Sequence, residues 1–445
     1  MKVIADFHIH SKYARACSRD LVPENLGVWA DKKGITVLGT GDFTHPQWRA
    51  DLKTALKESE PGLYQLKNGS AKARFMLTGE LASIYKQGDK VRRVHNLVFA
   101  PNFDAAEKLV QLLEKRKVNL KSDGRPIMGV PCEELLKICK DADEDIELVP
   151  AHAWTPHFGV FGSLSGFDSL EEAYGSMTKY IFAIETGLSS DPKMNWQAPA
   201  LDNISLISNS DAHSLRKLGR EANVFEIDEK KLSYAEIINA IRERNADGAV
   251  GGAKADTPQF IETLEFFPEE GKYHFDGHAD CNFSCRPEET KRLGGICPVC
   301  GKKLLRGVLY RAEELAEVKG KVRKFGFKPE RAIPFRSIIP LEEIIAETLG
   351  VGTASKKVLA QYESMVALRP EFEILLDTDP EEIARLANDG VAGGVGAAIA
   401  ESVMRVRNGQ VHIAPGYDGV FGKIQIYSKE EREKMQLKPK QKTLF

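Results

Sequence analysis

The chain has 445 residues, 42% of them apolar, and a formal net charge of −2. That length suits roughly two to four domains, and that composition supplies a packed core and excludes a disordered chain. There is no run of about 18 apolar residues, so no membrane span is expected, and the N-terminus MKVIADFHIH puts a strand and a polar cluster where a signal peptide needs an apolar stretch.

In chain order, seven short apolar runs of the first half carry Asp, Glu or His at or near an end. They are Ile4–His10, Ile35–Asp42, Phe75–Glu80, His95–Phe99, Leu148–His152, Ile181–Glu185 and Ile204–His213. Runs of this length bounded by polar residues and Gly predict buried strands. Between them lie helical segments such as Pro23–Lys33, Asp104–Lys117 and Ser233–Asn245, which is α/β alternation. Polar residues recurring at the ends of many strands are the layout of a barrel active site. His mixed with carboxylate suits zinc, manganese or iron.

His8 and His10 alternate along one strand and so share a face, and Asp211 and His213 repeat that spacing at a late strand. Lys86-Gln87-Gly88-Asp89 is a hairpin signal. A two-residue turn at Gln87-Gly88 sets Glu80 directly opposite His95, a carboxylate facing an imidazole. Glu185 suits either a partner orienting a ligand or a plain strand-end carboxylate. The aromatic loop from Ala151 to Gly162 suits either core packing or a stacking pocket.

The second half differs in charge. Residues 271–331 carry a net charge of +6, whereas residues 1–270 carry −6 and residues 332–427 carry −5. The basic stretch is the candidate for touching a polyanion; a solvated surface is the plainer alternative. Residues 271–310 are too short for a core and need a staple. Cys281-x3-Cys285-x11-Cys297-Pro-Val-Cys300-Gly301 supplies one: four thiolates on two knuckle-like turns fit one tetrahedral structural zinc, with His278 able to replace Cys285. Clustered cysteines of this kind also favour a reducing, cytoplasmic setting over a disulfide framework. Residues 340–408 read as helical. One helix begins at Ile338–Pro340, and another has Asp379 as N-cap and Pro380 at its first position. The glycine-rich turn Gly390–Gly396 suits either phosphate contact or an ordinary helix–helix turn. Tyr417–Tyr427 reads as two strand-like pieces around a turn. A basic linker then presents Gln441-Lys-Thr-Leu444-Phe445 at the chain end.

Taken together, the N-terminal H-x-H, Gly39-Thr-Gly41-Asp42, Gly79-Glu80, Ala151-His152 and Ser210-Asp211-Ala-His213 resemble the polymerase-and-histidinol-phosphatase (PHP) domain. The resemblance implies a distorted (βα)7 barrel that hydrolyses phosphoesters with two or three metal ions. It implies one ion on His8, His10, Glu80 and Asp211, and a second on Glu80, His95 and His152. A third would use His213 with further ligands. There the chain departs from the family pattern, with Ala16 and Phe43 where many relatives have His, leaving Asp42 and then His45 as the extra ligand. Asp211 and Glu80 are the expected catalytic carboxylates.

A PHP domain over residues 1–250, a four-cysteine module over 271–310 and a helical, DNA-binding region over 311–427 ending in Pro-Gly-Tyr-Asp-Gly-Val-Phe-Gly resemble the endonuclease Q family. That family nicks DNA on the 5′ side of uracil, hypoxanthine, xanthine and abasic sites. The resemblance implies zinc in the barrel, with Mn2+ or Mg2+ as alternatives, and DNA as partner. Arg286, Lys291, Arg292, Lys302, Lys303 and Arg306 of the basic module are the expected backbone contacts. The tail over 428–445 resembles Gln-x-x-Leu-Phe peptides that bind the bacterial sliding clamp through Gln441, Leu444 and Phe445. A nucleoid-associated cytoplasmic enzyme is implied. No G-x-x-x-x-G-K-[ST] motif exists, which excludes a nucleoside-triphosphate motor. Two other functions fit parts of the chain: a PHP phosphatase for a small phosphoester, and a non-enzymatic, clamp-tethered DNA-binding scaffold.

Overall fold

The computed structural model describes residues 1–244, 257–318, 321–323, 326–388 and 395–436. All seven expected runs form strands: β1 (Lys2–Asp6), β2 (Val37–Gly39), β3 (Arg74–Gln87), β4 (Lys90–Ala100), β5 (Glu147–Pro150), β6 (Ala183–Glu185) and β7 (Ser205–Ile207). β1 pairs parallel with β2, and β2 with β3. β3 and β4 form a long antiparallel hairpin, β5 joins β4 antiparallel, and β6 pairs parallel with β7. Single bonds close the ring where ladders stop. Ala153 N donates to Glu185 O at 3.0 Å, and His10 N donates to Ala212 O at 3.1 Å. The result is a seven-stranded barrel distorted by its antiparallel hairpin.

One residue from each strand enters a single buried cluster: Val3, Val37, Met76, Phe99, Val149, Ala183 and Ile207. Phe7 meets Phe99 edge to face at 5.5 Å within it. Each of its larger side chains contributes about 1.5–3 kcal/mol by leaving water. This packing fills the barrel floor; His8, His10, His152 and Asp211 follow the C-terminal ends of their strands, whereas Glu80 and His95 lie mid-strand in the β3–β4 hairpin.

The expected helices hold closely. Pro23–Lys33 stops at Gly34, whose φ of 82° is the left-handed conformation that glycine tolerates best. Phe103–Lys115 is capped by Asn102 and Tyr234–Glu243 by Ser233. The sheet does not end near residue 250. Ala222–Glu226 pairs with β1, Gln259–Glu265 pairs with that strand, and Phe335–Ser337 adds a further one, so chain beyond the cysteine module returns to the main sheet.

The hairpin register also differs from expectation. Gln87 pairs with Lys90, so the turn is Gly88-Asp89, and Glu80 lies opposite Leu97 rather than His95. Gly88 has φ 59° while Asp89 is not left-handed, the pattern of a turn that wants glycine at its first central position.

The cysteine module is a short hairpin, Asp276–His278 with Phe283–Cys285, and the helix Pro287–Arg292. The chain's late segment holds it. Asp418 Oδ2 accepts from Ala279 N at 2.6 Å, and Tyr417 OH donates to Asn282 at 2.7 Å. That segment pairs His412–Ala414 with Lys423–Gln425, so its first strand precedes Tyr417 and does not include it.

The helices Leu341–Leu349, Lys356–Leu368, Glu371–Leu376, Pro380–Asn388 and Gly396–Arg407 dock on the barrel. Asp379 caps its helix as expected, accepting from Glu382 N at 2.8 Å. A buried pair, Lys33 with Glu371 at 2.6 Å, and the pairs Arg216–Glu342 at 2.7 Å and Lys217–Glu343 at 2.9 Å link this region to the barrel. The expected flexible tail over 428–445 instead begins as a helix, Lys429–Gln436, paired to the body by Arg405 with Glu431 at 2.9 Å. Its remainder, with Gln441, Leu444 and Phe445, and Gly390–Gly394 lie outside the described residues. Among the described residues no helix is long and apolar enough to cross a membrane.

Candidate metal centre

The ends of β1 and β2 approach so closely that only glycine fits between them. A β-carbon on Gly39 would stand 2.2 Å from Phe7 O, and one on Gly41, at φ 62°, would stand 2.4 Å from Ile9 O. This contact brings Asp42 beside His10. His8 and His10 follow β1, Glu80 and His95 come from the β3–β4 hairpin, His152 follows β5, and Asp211 follows β7. His8, His10 and Glu80 are fully buried.

Two groups of ligand atoms form, each with its atoms within 4.8 Å of one another: His8, His10, Glu80 and Asp211, and Glu80, His95 and His152. Glu80 belongs to both, one oxygen to each. Its Oε1 lies 2.6 Å from His95 Nδ1 and 3.1 Å from His152 Nε2. Its Oε2 lies 3.3 Å from His10 Nε2 and 3.6 Å from His8 Nε2. Asp211 Oδ1 completes the first group, 3.0 Å from His10 Nε2 and 3.6 Å from His8 Nε2.

Outer carboxylates set the tautomers. His8 Nδ1 lies 3.0 Å from both Glu185 oxygens, and His10 Nδ1 lies 3.0 Å from Asp42 Oδ1. Donation from each Nδ1–H turns an Nε2 lone pair toward the centre, the arrangement that metal-binding histidines use. Glu185 is itself fixed by His152 N at 2.7 Å and Asn209 Nδ2 at 2.9 Å, so it orients a neighbour and is not merely a strand-end carboxylate. His8 Nε2 and His152 Nδ1 are buried without a hydrogen-bond partner. A bare, buried imidazole nitrogen costs free energy unless something else satisfies it. A cation would satisfy His8 Nε2, and the donor set of imidazoles and carboxylates suits zinc or manganese.

Electrostatics agree with that fit. Burial opposes charge on Glu80, but His95, His8 and Arg125 hold its carboxyl well below the usual range. Burial likewise opposes charge on Asp211, and His8 and His10 outweigh it, so this carboxyl too lies below its ordinary range. His8 and His10 are raised despite burial, His8 by Glu185 and Glu80 and His10 by Asp42 and Asp211. His95 goes the other way, as burial brings its imidazole down to about 4. The backbone is strained here: Asp42, His152, Phe158 and Asp211 all have positive φ, and such strain clusters at functional sites.

Several expectations change. Asp42 belongs to neither group: Oδ1 faces His10, and Oδ2 accepts from Ser11 N and Ser11 Oγ, each at 2.6 Å. His213 stands apart, a third exposed, with Nδ1 against the Asp211 carbonyl at 2.8 Å. His45 caps a helix by accepting from Trp48 N. Among the described residues, therefore, no third group assembles around His213. At the module, the fourfold set is His278, Cys281, Cys297 and Cys300, not four thiolates. Cys285 lies outside it, its sulfur 3.2 Å from Thr290 Oγ1. Its strand ends there, and His278, on the paired strand, occupies the place. Four of the six basic residues expected on DNA pair with nearby acids: Arg286 with Glu288, Lys291 with Glu313, Arg292 with Glu289, and Arg306 with Glu314. Lys302 and Lys303 are exposed. Arg125, which donates to Glu80 Oε2 at 3.1 Å, carries no sequence signal because it lies between the recognisable motifs.

A family model described as PHP-associated matches residues 202–246, and one described as the MJ0043 C-terminal domain matches residues 340–410. The chain superposes on the lesion-specific endonuclease PfuEndoQ from Pyrococcus furiosus with a TM-score of 0.80 and 30% identity, covering 96% of each chain. The chain belongs to the endonuclease Q family. A solved endonuclease Q complex with a 27-mer duplex carrying an abasic lesion at its active site matches over 100% of both chains, with TM-score 0.78 and 30% identity. The Bacillus subtilis protein YqxK is 26% identical over 438 residues, 95% of this chain and 99% of that one. The Methanocaldococcus jannaschii protein MJ0043 is 31% identical over 276 residues, 61% of this chain; the match spans only 31% of that longer relative.

Proposed function

We infer that this endonuclease Q family member is a DNA-repair endonuclease that nicks DNA 5′ of deaminated bases and abasic sites by metal-dependent phosphodiester hydrolysis. One observation carries the reading: Glu80 joins two buried His–carboxylate groups in a chain that matches endonuclease Q along its whole length.

His8, His10, Glu80 and Asp211 would hold one divalent cation, and Glu80, His95 and His152 a second, with zinc the first choice and Mn2+ or Mg2+ possible by donor type. When bound, such ions supply positive charge that neutralises a phosphodiester and acidifies water enough to attack phosphorus near neutral pH. The chain's own part is to keep these groups placed and dry. Glu185 and Asp42 hold His8 and His10 in the tautomer that faces the centre. Asp211, partly exposed beside His10, is the carboxylate of the first group that reaches solvent, Glu80 being fully buried.

The loop that follows His152 supports lesion selection. Phe158 stacks on His95 at 4.5 Å, and Gly162–Gly166 line a cavity of about 790 Å³ with Arg92, Arg93 and Arg311. A polar cavity lined by the loop that follows His152 would suit an extruded base, which costs less to flip when mispaired. His278, Cys281, Cys297 and Cys300 would hold one structural zinc, and the basic surface of that module would grip the DNA backbone. On this reading the barrel is catalytic, residues 311–427 complete the DNA-binding surface, and the tail tethers the enzyme to a bacterial sliding clamp through Gln441, Leu444 and Phe445 in a nucleoid-associated, cytoplasmic setting. The deciding experiment is incubation with end-labelled duplexes carrying one uracil, hypoxanthine, xanthine or abasic site. Cuts 5′ of the lesion are expected; intact duplexes with hydrolysis of small phosphoesters would overturn the reading.

A further inference from the structure

The segment carrying Arg125 is built into the centre by its backbone. Gly124 N donates to Tyr13 O at 3.0 Å, and Ala82 N donates to Pro126 O at 3.1 Å. Asp123 Oδ1 accepts from the backbone N–H groups of both Arg15 and Arg125, each at 3.1 Å. A β-carbon on Gly124 would lie 2.3 Å from Asp42 Oδ2, so the segment lies directly against the residue that orients His10. This backbone cannot move without disturbing the loops that follow β1 and β2.

The side chain turns inward. Nη1 donates to Glu80 Oε2 at 3.1 Å, and among the described residues Arg125 is the one Lys or Arg whose side chain meets a carboxylate of either group. Glu80 is fully buried, whereas 26% of the Arg125 side chain is exposed. The guanidinium therefore lies between the shared carboxylate and solvent. A guanidinium stays charged and has no lone pair to give a metal, so in a cation-binding centre its complement is an anion. Glu80 does not depend on it alone, because its oxygens also belong to the two groups that would hold cations. One N–H is used by Glu80, and the rest of the planar fork matches two phosphate oxygens.

We propose that Arg125 is a ligand of the scissile phosphate, holding a non-bridging oxygen while Nη1 anchors it on Glu80. This rests on the phosphodiesterase reading of the centre. Because the arginine and both cation positions share Glu80, the phosphate is registered against the ions through one carboxylate. Charge developing on the phosphate oxygens then meets a donor already in place.

The test uses full-length, Mn2+-loaded protein with inorganic phosphate as the probe, comparing wild type with Arg125→Gln and Arg125→Lys. Calorimetry reads phosphate affinity, and elemental analysis reads metal per chain. Both variants should keep their metal. Phosphate affinity should fall about 10- to 100-fold in Arg125→Gln and less in Arg125→Lys, and nicking of an abasic duplex should fall by about 10²- to 10³-fold in Arg125→Gln. Unchanged phosphate affinity in both would overturn the proposal. So would loss of metal in Arg125→Lys, which would make the arginine a support for Glu80 only. Should Arg125→Gln not fold, the charge-conserving variant decides. If wild type binds phosphate through Arg125 yet cuts no lesion duplex, the nuclease reading falls and this assignment stands.

Discussion

Glu80 and His95 are two ladder positions out of register, yet Oε1 and Nδ1 meet at 2.6 Å. Diagonal neighbours on one face of a twisted hairpin are within reach of long side chains, and the twist of β3 against β4 closes the gap. The offset frees Oε2 to point to His8 and His10, so the diagonal placement lets one carboxylate serve both groups.

Removing that shared group should therefore cost both sites. Glu80→Ala should lower the metal content of the barrel by two ions, while Asp211→Ala affects the first group alone. Both should lose nicking, and DNA affinity should stay within about tenfold, because neither side chain is a backbone contact. Elemental analysis with filter binding checks this; cleavage retained by Asp211→Ala would remove Asp211 from the site.

The module separates two residues the sequence could not rank. His278→Ser should release its metal and loosen the segment from Asp276 to Gly301, since so short a unit has no core without it. Cys285→Ser should keep the metal. The opposite pattern in metal content and proteolysis would restore the four-thiolate site.

A buried acid pair sets a pH dependence of stability. Burial and neighbouring acids, Asp191 among them, raise the Glu265 carboxyl to about 8, and burial beside Glu265 raises Glu221 too. An unfolded Glu titrates near ~4.3. The folded state thus keeps a proton that the unfolded chain releases. Its contribution is full below about pH 4, falls by about 1.4 kcal/mol per pH unit above that, and is gone once pH passes about 8. Glu265→Gln should flatten the fall of Tm between pH 5 and 8 relative to wild type; identical slopes would show the pair is already ionised.

At the chain end, deletion of Gln441–Phe445 should abolish capture by a bacterial sliding clamp and leave nicking of free oligonucleotides unchanged. Leu444→Ala with Phe445→Ala should mimic it, because an apolar pair in a pocket supplies most of the affinity of such peptides. Tethering to a clamp through residues beyond the helix Lys429–Gln436 would raise the local concentration of the nuclease on DNA. Equal pull-down by truncated and full-length protein would leave the tail without this role.

The sequence by itself determined the seven strands, the helix spans at Pro23–Lys33 and Tyr234–Glu243, and the six residues of the two ligand groups. Those features rest on local signals: apolar period, caps, and polar residues at strand ends, each written within a few neighbours. Tertiary structure alone decided which atoms face which. Asp42 became a partner of His10 because Gly39 and Gly41 let two strand ends touch, a distance no spacing records. His278 displaced Cys285 because pairing of Asp276–His278 with Phe283–Cys285 chose which side chain faces the knuckle. Arg125 entered the site through backbone bonds to Tyr13, Arg15 and Ala82, all of which lie more than 40 residues away in the chain. Ligand types are local chemistry and can be read in order along the chain; their partners are set by contacts between distant segments, which exist only once the barrel has closed.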